Sequence, residues 1–200
     1  LENLNIFVAY NLRFHPLLQR IKDIVANKNI CAANIYCGQY LPTWRPNRDY
    51  REIYSAKKDQ GGGVLRDLSH EIDYALWLFG DVEKITSQIG HGTNLSIDTE
   101  DICHILLKCQ NCSFINISLN YIDHIKQRKI MIHTNEETIL CDLVKNIFQI
   151  NDVIEHFEIL PETSYVTQNE KIINDDFSEL CSLEQAKKVM QAINTIEMSS

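Results

Sequence analysis

Glycine is scarce in this chain, with seven among 200 residues, and none of them forms the GxGxxG turn that opens a dinucleotide-binding unit. A phosphate cradle of that kind is therefore not encoded here. No apolar run approaches the roughly 18 residues of a membrane span, and no charged-then-apolar leader opens the sequence, so neither a membrane partner nor export is expected. Basic residues are outnumbered: 19 Lys and Arg face 27 Asp and Glu, for a net charge of −8. They are also unclustered, which excludes a nucleic-acid groove built on many phosphate contacts. The seven cysteines are odd in number and follow no framework, which suits reduced thiols in a cytoplasm. Cys109 and Cys112 have CxxC spacing but no second ligand pair. Gln110-Asn111 between them reads as a hairpin turn, so no metal is expected, and a zinc site there is the weaker alternative.

What is present is an ordinary globular composition, 44% hydrophobic and 23% charged, enough for one domain over 1–200. "IFVAYNLRF" (6–14) reads as a strand broken at His15-Pro16, and Leu17, Leu18, Ile21, Ile24 and Val25 then recur at helical spacing. "AANIYCGQY" is a second strand, and 41–60, with two prolines and many charges, is a long excursion. After Gly80 the pattern turns to period two in five segments, "EKITSQIGH", "DICHILLKC", "SFINISLNYI", "KIMIHTN" and "ETILCDLV", which predicts an antiparallel meander. Residues 145–180 suggest one more strand and a mobile polar loop. Ser182 with Gln185 makes a capping box for a last helix whose apolar face is Leu183, Ala186, Val189, Met190, Ile193 and Ile196. The predicted class is α+β, a largely antiparallel open sheet with helices on one face.

The most informative stretch is "GGGVLRDLSHEIDYALWLFG" (61–80). As one helix it places Leu65, Leu68, Ile72, Leu76 and Phe79 on a core stripe, with Asp67, His70, Tyr74 and Trp77 opposite. Gly61, Gly62 and Gly63 permit close approach of a backbone or a ligand. Asp67 three residues before His70 can orient the imidazole and favour its protonated form, and Asp73 is a second possible partner. Such a pair can take and return a hydroxyl proton. The plain alternative is a structural histidine and a surface aspartate. Trp44, Arg45, Tyr50 and Arg51 offer stacking faces and anion-pairing donors for a sugar or its phosphate, and Tyr10 and Arg13 could line the same cleft.

The order "AYNLRFHP", a proline-bearing loop, the glycine-aspartate-histidine segment, "DTEDI" (98–102) and a meander resembles the C-terminal domain of the glucose-fructose oxidoreductase / inositol dehydrogenase / rhizopine catabolism family. The resemblance covers most of 6–145 and the final helix. It implies an NAD(P)-dependent sugar oxidoreductase, with Asp67 and His70 in the active site and an open sheet that forms a homodimer. It also implies an N-terminal Rossmann domain, in the same gene or on a separate chain, that holds NAD or NADP; none is expected to bind this chain alone. Family members commonly space the pair as DxxxH, one residue longer than here. A shorter form accompanies nucleotide-linked or nonulosonic sugars. The family's lysine, in an EKP segment, has no counterpart, since only Leu1 to Ile6 precede the first strand. Arg128 matches an arginine often seen there, in a structural place. A sugar-binding or oligomerisation module without hydride transfer is the alternative function.

Overall fold

The computed structural model describes residues 5–199, so part of the segment before the first strand lies outside the described residues. Strand β1 (Phe7–Val8) is shorter than the sequence suggests, and Asn11–Phe14 curl into a 3-10 turn. The curl turns two polar side chains inward: Asn11 donates to the Ser164 hydroxyl and Arg13 to the Asp73 carboxylate. Helix α1 (Pro16–Val25) begins with proline at its first position, where an amide would lack a partner anyway, and the His15 ring accepts from the Leu17 amide.

Eight strands form the main sheet: β2 (Ile30–Gly38), β3 (Val82–Gly90), β4 (Ile102–Cys109), β5 (Cys112–Asn120), β6 (Gln127–Thr134), β7 (Thr138–Asp142), β8 (Ile147–Ile150) and β9 (Val153–His156). Their order is β3-β4-β5-β2-β6-β7-β8-β9. The expected meander is therefore interrupted: β2 inserts between β5 and β6, parallel to β5 and antiparallel to β6. Alternation supplies the reason for two unlike faces. Ile35, Ile105, Ile117, Ile130 and Ile139 point to the buried side, while Leu106 and Phe114 on the other remain 60% and 72% exposed.

Helices α2 (Val64–Asp67), α3 (His70–Phe79) and α5 (Leu183–Met198) cover the buried face, α5 opening with the expected Ser182–Gln185 capping box. Strand β10 (Cys181–Ser182) pairs with β1. In α5, Ala186, Val189, Ile193 and Ile196 are buried as patterned, but Leu183 and Met190 are exposed and Ala192 takes a core place. Residues 145–180 hold the β8–β9 hairpin and helix α4 (Thr163–Ile173) where one strand and a mobile loop are expected. The pattern is hidden because the buried positions of α4 are polar, Ser164 and Gln168, while Tyr165, Val166 and Ile173 are exposed. Among the described residues no helix is long and apolar enough to cross a membrane.

The single amphipathic rod predicted for 64–79 is two helices. Leu68 leaves helical geometry at φ −103, ψ 28, and the Ser69 and Glu71 amides bond three residues back, to Arg66 and Leu68. The break rotates α3, so Tyr74 becomes fully buried and Leu76 only partly so. Helix α3 runs through the interior with two carboxylates inside it. Glu71 accepts from Arg128 (Nε to Oε1, 2.7 Å), and Asp73 takes Arg13 through both oxygens, at 2.7 and 3.0 Å. Burial pushes both carboxyls up and the guanidinium groups oppose it. Arg13 and Asp73, expected at the substrate, are instead 2% and 1% exposed and committed to each other.

A buried ion stripped of its partner is costly, whereas an apolar replacement of both is tolerated. Glu71→Ala is thus expected to destabilise the fold by about 3–5 kcal/mol in urea unfolding, and Glu71→Leu with Arg128→Met to recover most of that loss. An unaltered midpoint in the single variant would contradict the pairing.

Candidate active site

The break after Asp67 puts the carboxylate at the end of one helix and the imidazole of His70 at the start of the next. The carboxylate does not meet the imidazole as expected: Asp67 accepts a 2.7 Å hydrogen bond from the Tyr121 hydroxyl at the end of β5. Burial, and then the Asp67 charge, push Tyr121 well up, which keeps it a donor. The Trp44 ring meets Tyr121 edge-on, with centroids 5.2 Å apart, and its indole N–H donates to the Gln39 carbonyl. The Arg45 guanidinium lies 5.3 Å over the Tyr54 ring, and Tyr54 is pushed up by burial first and Asp67 next. Asp67, Tyr121, Trp44, Tyr54 and Arg45 therefore form one polar-aromatic group.

Two other expected residues do not join it. The Tyr50 hydroxyl accepts from the Ser96 amide, and Arg51 pairs with its neighbour Asp49 at the surface. The clamp that fixes the 41–60 excursion answers for the glycines. A β-carbon on Gly62 would lie 2.0 Å from the Tyr54 carbonyl oxygen, and one on Gly63, at φ +119, would meet the Glu100 carboxylate. The "DTED" segment completes the clamp. Asp98 accepts from the Lys58 amide, Thr99 donates to the Ser55 carbonyl, and Glu100 accepts from the Leu65 amide. Chain atoms thus occupy the space at Gly62 and Gly63, so this glycine run does not fit a dinucleotide phosphate. Gly61 faces solvent at φ +76.

His70 lines a cavity of about 330 Å³ shared with His15, Lys126 and Arg128. The Tyr10 ring packs edge-on against it at 5.3 Å, and the Tyr10 hydroxyl donates to Ser69. His70 Nδ1 is buried with no hydrogen-bond partner among the described residues. Burial, and then the positive charge of Arg128, bring His70 down to about 4, so the ring is neutral near pH 7. The expected favouring of its protonated form by a carboxylate is thereby reversed. Tyr121 and Tyr54 were not singled out by the sequence, because they reach Asp67 only through folding; Tyr121 lies 54 residues away. Cys109 and Cys112 are register partners flanking the Gln110-Asn111 turn, and both are free.

A family model described as the GFO/IDH/MocA C-terminal domain matches residues 18–140. A search of curated proteins gave no match. Among solved structures, levoglucosan dehydrogenase in complex with NADH is similar at 16% identity and TM-score 0.79, over 100% of this chain and 65% of that one. UDP-N-acetylglucosamine 3-dehydrogenase GnnA from Acidithiobacillus ferrooxidans aligns at 14% identity and TM-score 0.76, over 98% and 61%. The WlbA dehydrogenase from Bordetella pertussis, in complex with NADH and UDP-GlcNAcA, aligns at 18% and 0.75, over 98% and 60%. This chain thus spans less than two thirds of the length of each, and at such identities the likeness establishes the fold. With the family model matched over more than half its length, the chain belongs to the GFO/IDH/MocA family as a C-terminal domain.

Proposed function

We propose that this chain is the substrate-binding and catalytic domain of an NAD(P)-dependent oxidoreductase acting on a sugar or sugar derivative. The observation that carries the reading is a neutral imidazole on a cavity wall, three residues from a carboxylate dressed with aromatic rings. Aromatic faces with a carboxylate suit a pyranose, whose C–H face stacks while its hydroxyls donate. In this reading His70 takes the hydroxyl proton of the carbon being oxidised. Asp67, fixed by Tyr121, accepts from a second hydroxyl and sets the ring's orientation, and Trp44 and Arg45 border it. The likeness to dehydrogenases whose structures hold NADH supports the class. The dinucleotide belongs to a Rossmann domain outside these residues, on the same or a separate polypeptide. No residue of this chain is assigned to it.

In the complete protein, His70→Asn is expected to lower kcat about 10²- to 10⁴-fold. The melting temperature should move by only a few degrees. An unaltered kcat, measured by NAD(P) reduction across a panel of sugars, would leave a binding module without hydride transfer as the better description.

The histidines also set a pH dependence. His70 and His15 are both lowered to about 4, by burial first and Arg128 second, against about 6.5 for an unfolded histidine. Between those values the unfolded chain binds more protons than the folded one. Their contribution to stability is full above about pH 6.5 and lost as pH falls through about 4. His15→Asn, which keeps an acceptor for the Leu17 amide, combined with His70→Asn should therefore lose less melting temperature between pH 6.5 and 4 than the unaltered protein. An equal loss in both would contradict the buried neutral state.

The open sheet face is proposed to join two copies of the chain. Leu106 and Phe114, neighbours on it, are exposed at 60% and 72%, an apolar pair that a second copy would cover. Light scattering should report a dimer that Phe114→Lys converts to a monomer. A variant that stays dimeric would exclude this face.

A further inference from the structure

The cavity beside His70 has a composition that the reading above does not explain. In a protein of net charge −8, its wall carries Lys126, Arg128, His15 and His70 and, among the described residues, not one carboxylate. Lys126 stands on the β5–β6 connection and makes no ion pair among the described residues. Arg128 is held through Nε and Nη2 to Glu71 and also meets the Cys37 thiol. Glu71 lies behind it, fully buried in α3. The field of the guanidinium still reaches the cavity, because its charge is the second cause lowering both His15 and His70.

The cavity is also built rather than incidental. Asn146, at φ +54 in the β7–β8 turn, donates to the Ile159 carbonyl and holds the incoming chain. Asn11 donates to Ser164 at 2.7 Å and moors the first turn of α4 across the opening. The roof is thus fixed by two polar ties to segments far apart in sequence.

We infer that this cavity is a subsite for an anionic substituent of the substrate, a carboxylate or a phosphate, gripped by Lys126 with Arg128 beside it. The inference rests on the sugar-oxidoreductase reading and narrows its substrate to acidic sugars. A negative group there would sit beside the imidazole and offset the Arg128 charge, the second cause after burial of its low basicity, and so raise that basicity when the correct substrate is bound. A neutral sugar would leave His70 a weak base. The subsite would therefore select through reactivity as well as affinity.

The test is calorimetric titration of this chain, which needs no hydride transfer, with glucuronate, glucose 6-phosphate and glucose. One or both charged sugars should bind at least about tenfold more tightly than glucose, the worth of a charge-assisted contact. Which of the two binds distinguishes carboxylate from phosphate. Lys126→Met, at an exposed position that leaves the fold intact, should abolish the preference, and added salt should weaken it. Equal binding of all three sugars, binding of none at millimolar concentration, or a preference that survives Lys126→Met would overturn the subsite. Failure of the oxidoreductase reading would instead appear as intact charged-sugar binding with no NAD(P) reduction by the complete protein.

Discussion

The pairing of two guanidinium groups with two carboxylates inside α3 is the constraint on which the rest of the molecule depends. Glu71 and Asp73 are two positions apart, so they leave the helix on different sides and reach for Arg128 in β6 and Arg13 in the 3-10 turn after β1. A helix held from both sides cannot roll. Apolar packing alone would tolerate some rotation of α3, because nearly its whole circumference is buried. Directional, charge-assisted bonds remove that freedom and fix where the first residue, His70, presents its ring. Such pairs add little net stability, and what they contribute here is orientation.

From that anchor the site follows in two halves. On one side, Asp67 is set by Tyr121 and dressed by Trp44 and Tyr54. On the other, His70 meets the Arg128 charge that the anchor itself brings close. The short break between α2 and α3 separates the halves and keeps the carboxylate from favouring the protonated imidazole. Two ionisable groups three residues apart in sequence thereby acquire unlike surroundings, the general means by which one site holds both an acceptor and a proton carrier.

Much of this was legible in the sequence where a rule is local. Ser182 with Gln185, Pro16 after His15, and the alternation of 102–109 state their structure within a few residues. The family resemblance, carried by the glycine-aspartate-histidine segment and "DTEDI", was legible too, and so was the open sheet with helices on one face. What was hidden depends on partners distant along the chain. Helical periodicity over 64–79 could not show that Leu68 leaves helical geometry, nor that Arg13 would be buried against Asp73 60 residues on. Asp67 looked like a companion for His70 because spacing alone was available, and Tyr121 intervened. Helix α4 escaped because polar residues hold its inner side and apolar ones its outer side, the reverse of the usual signal.

The insertion of β2 between β5 and β6 bears on how the molecule comes into being. The central strand is made early, yet its neighbours Ile115–Asn120 and Gln127–Thr134 follow only much later in the chain, by the register that pairs Ile35 with both Ile117 and Ile130. Until β5 emerges during synthesis the Ile35 strand has no partner in the sheet, and until β6 emerges one of its two backbone edges stays unsatisfied. Long-range closure of this kind slows folding and prolongs exposure of a β-rich edge. A nascent chain interrupted before Gln127 would therefore hold the edge of its central strand open to any other chain that can pair with it.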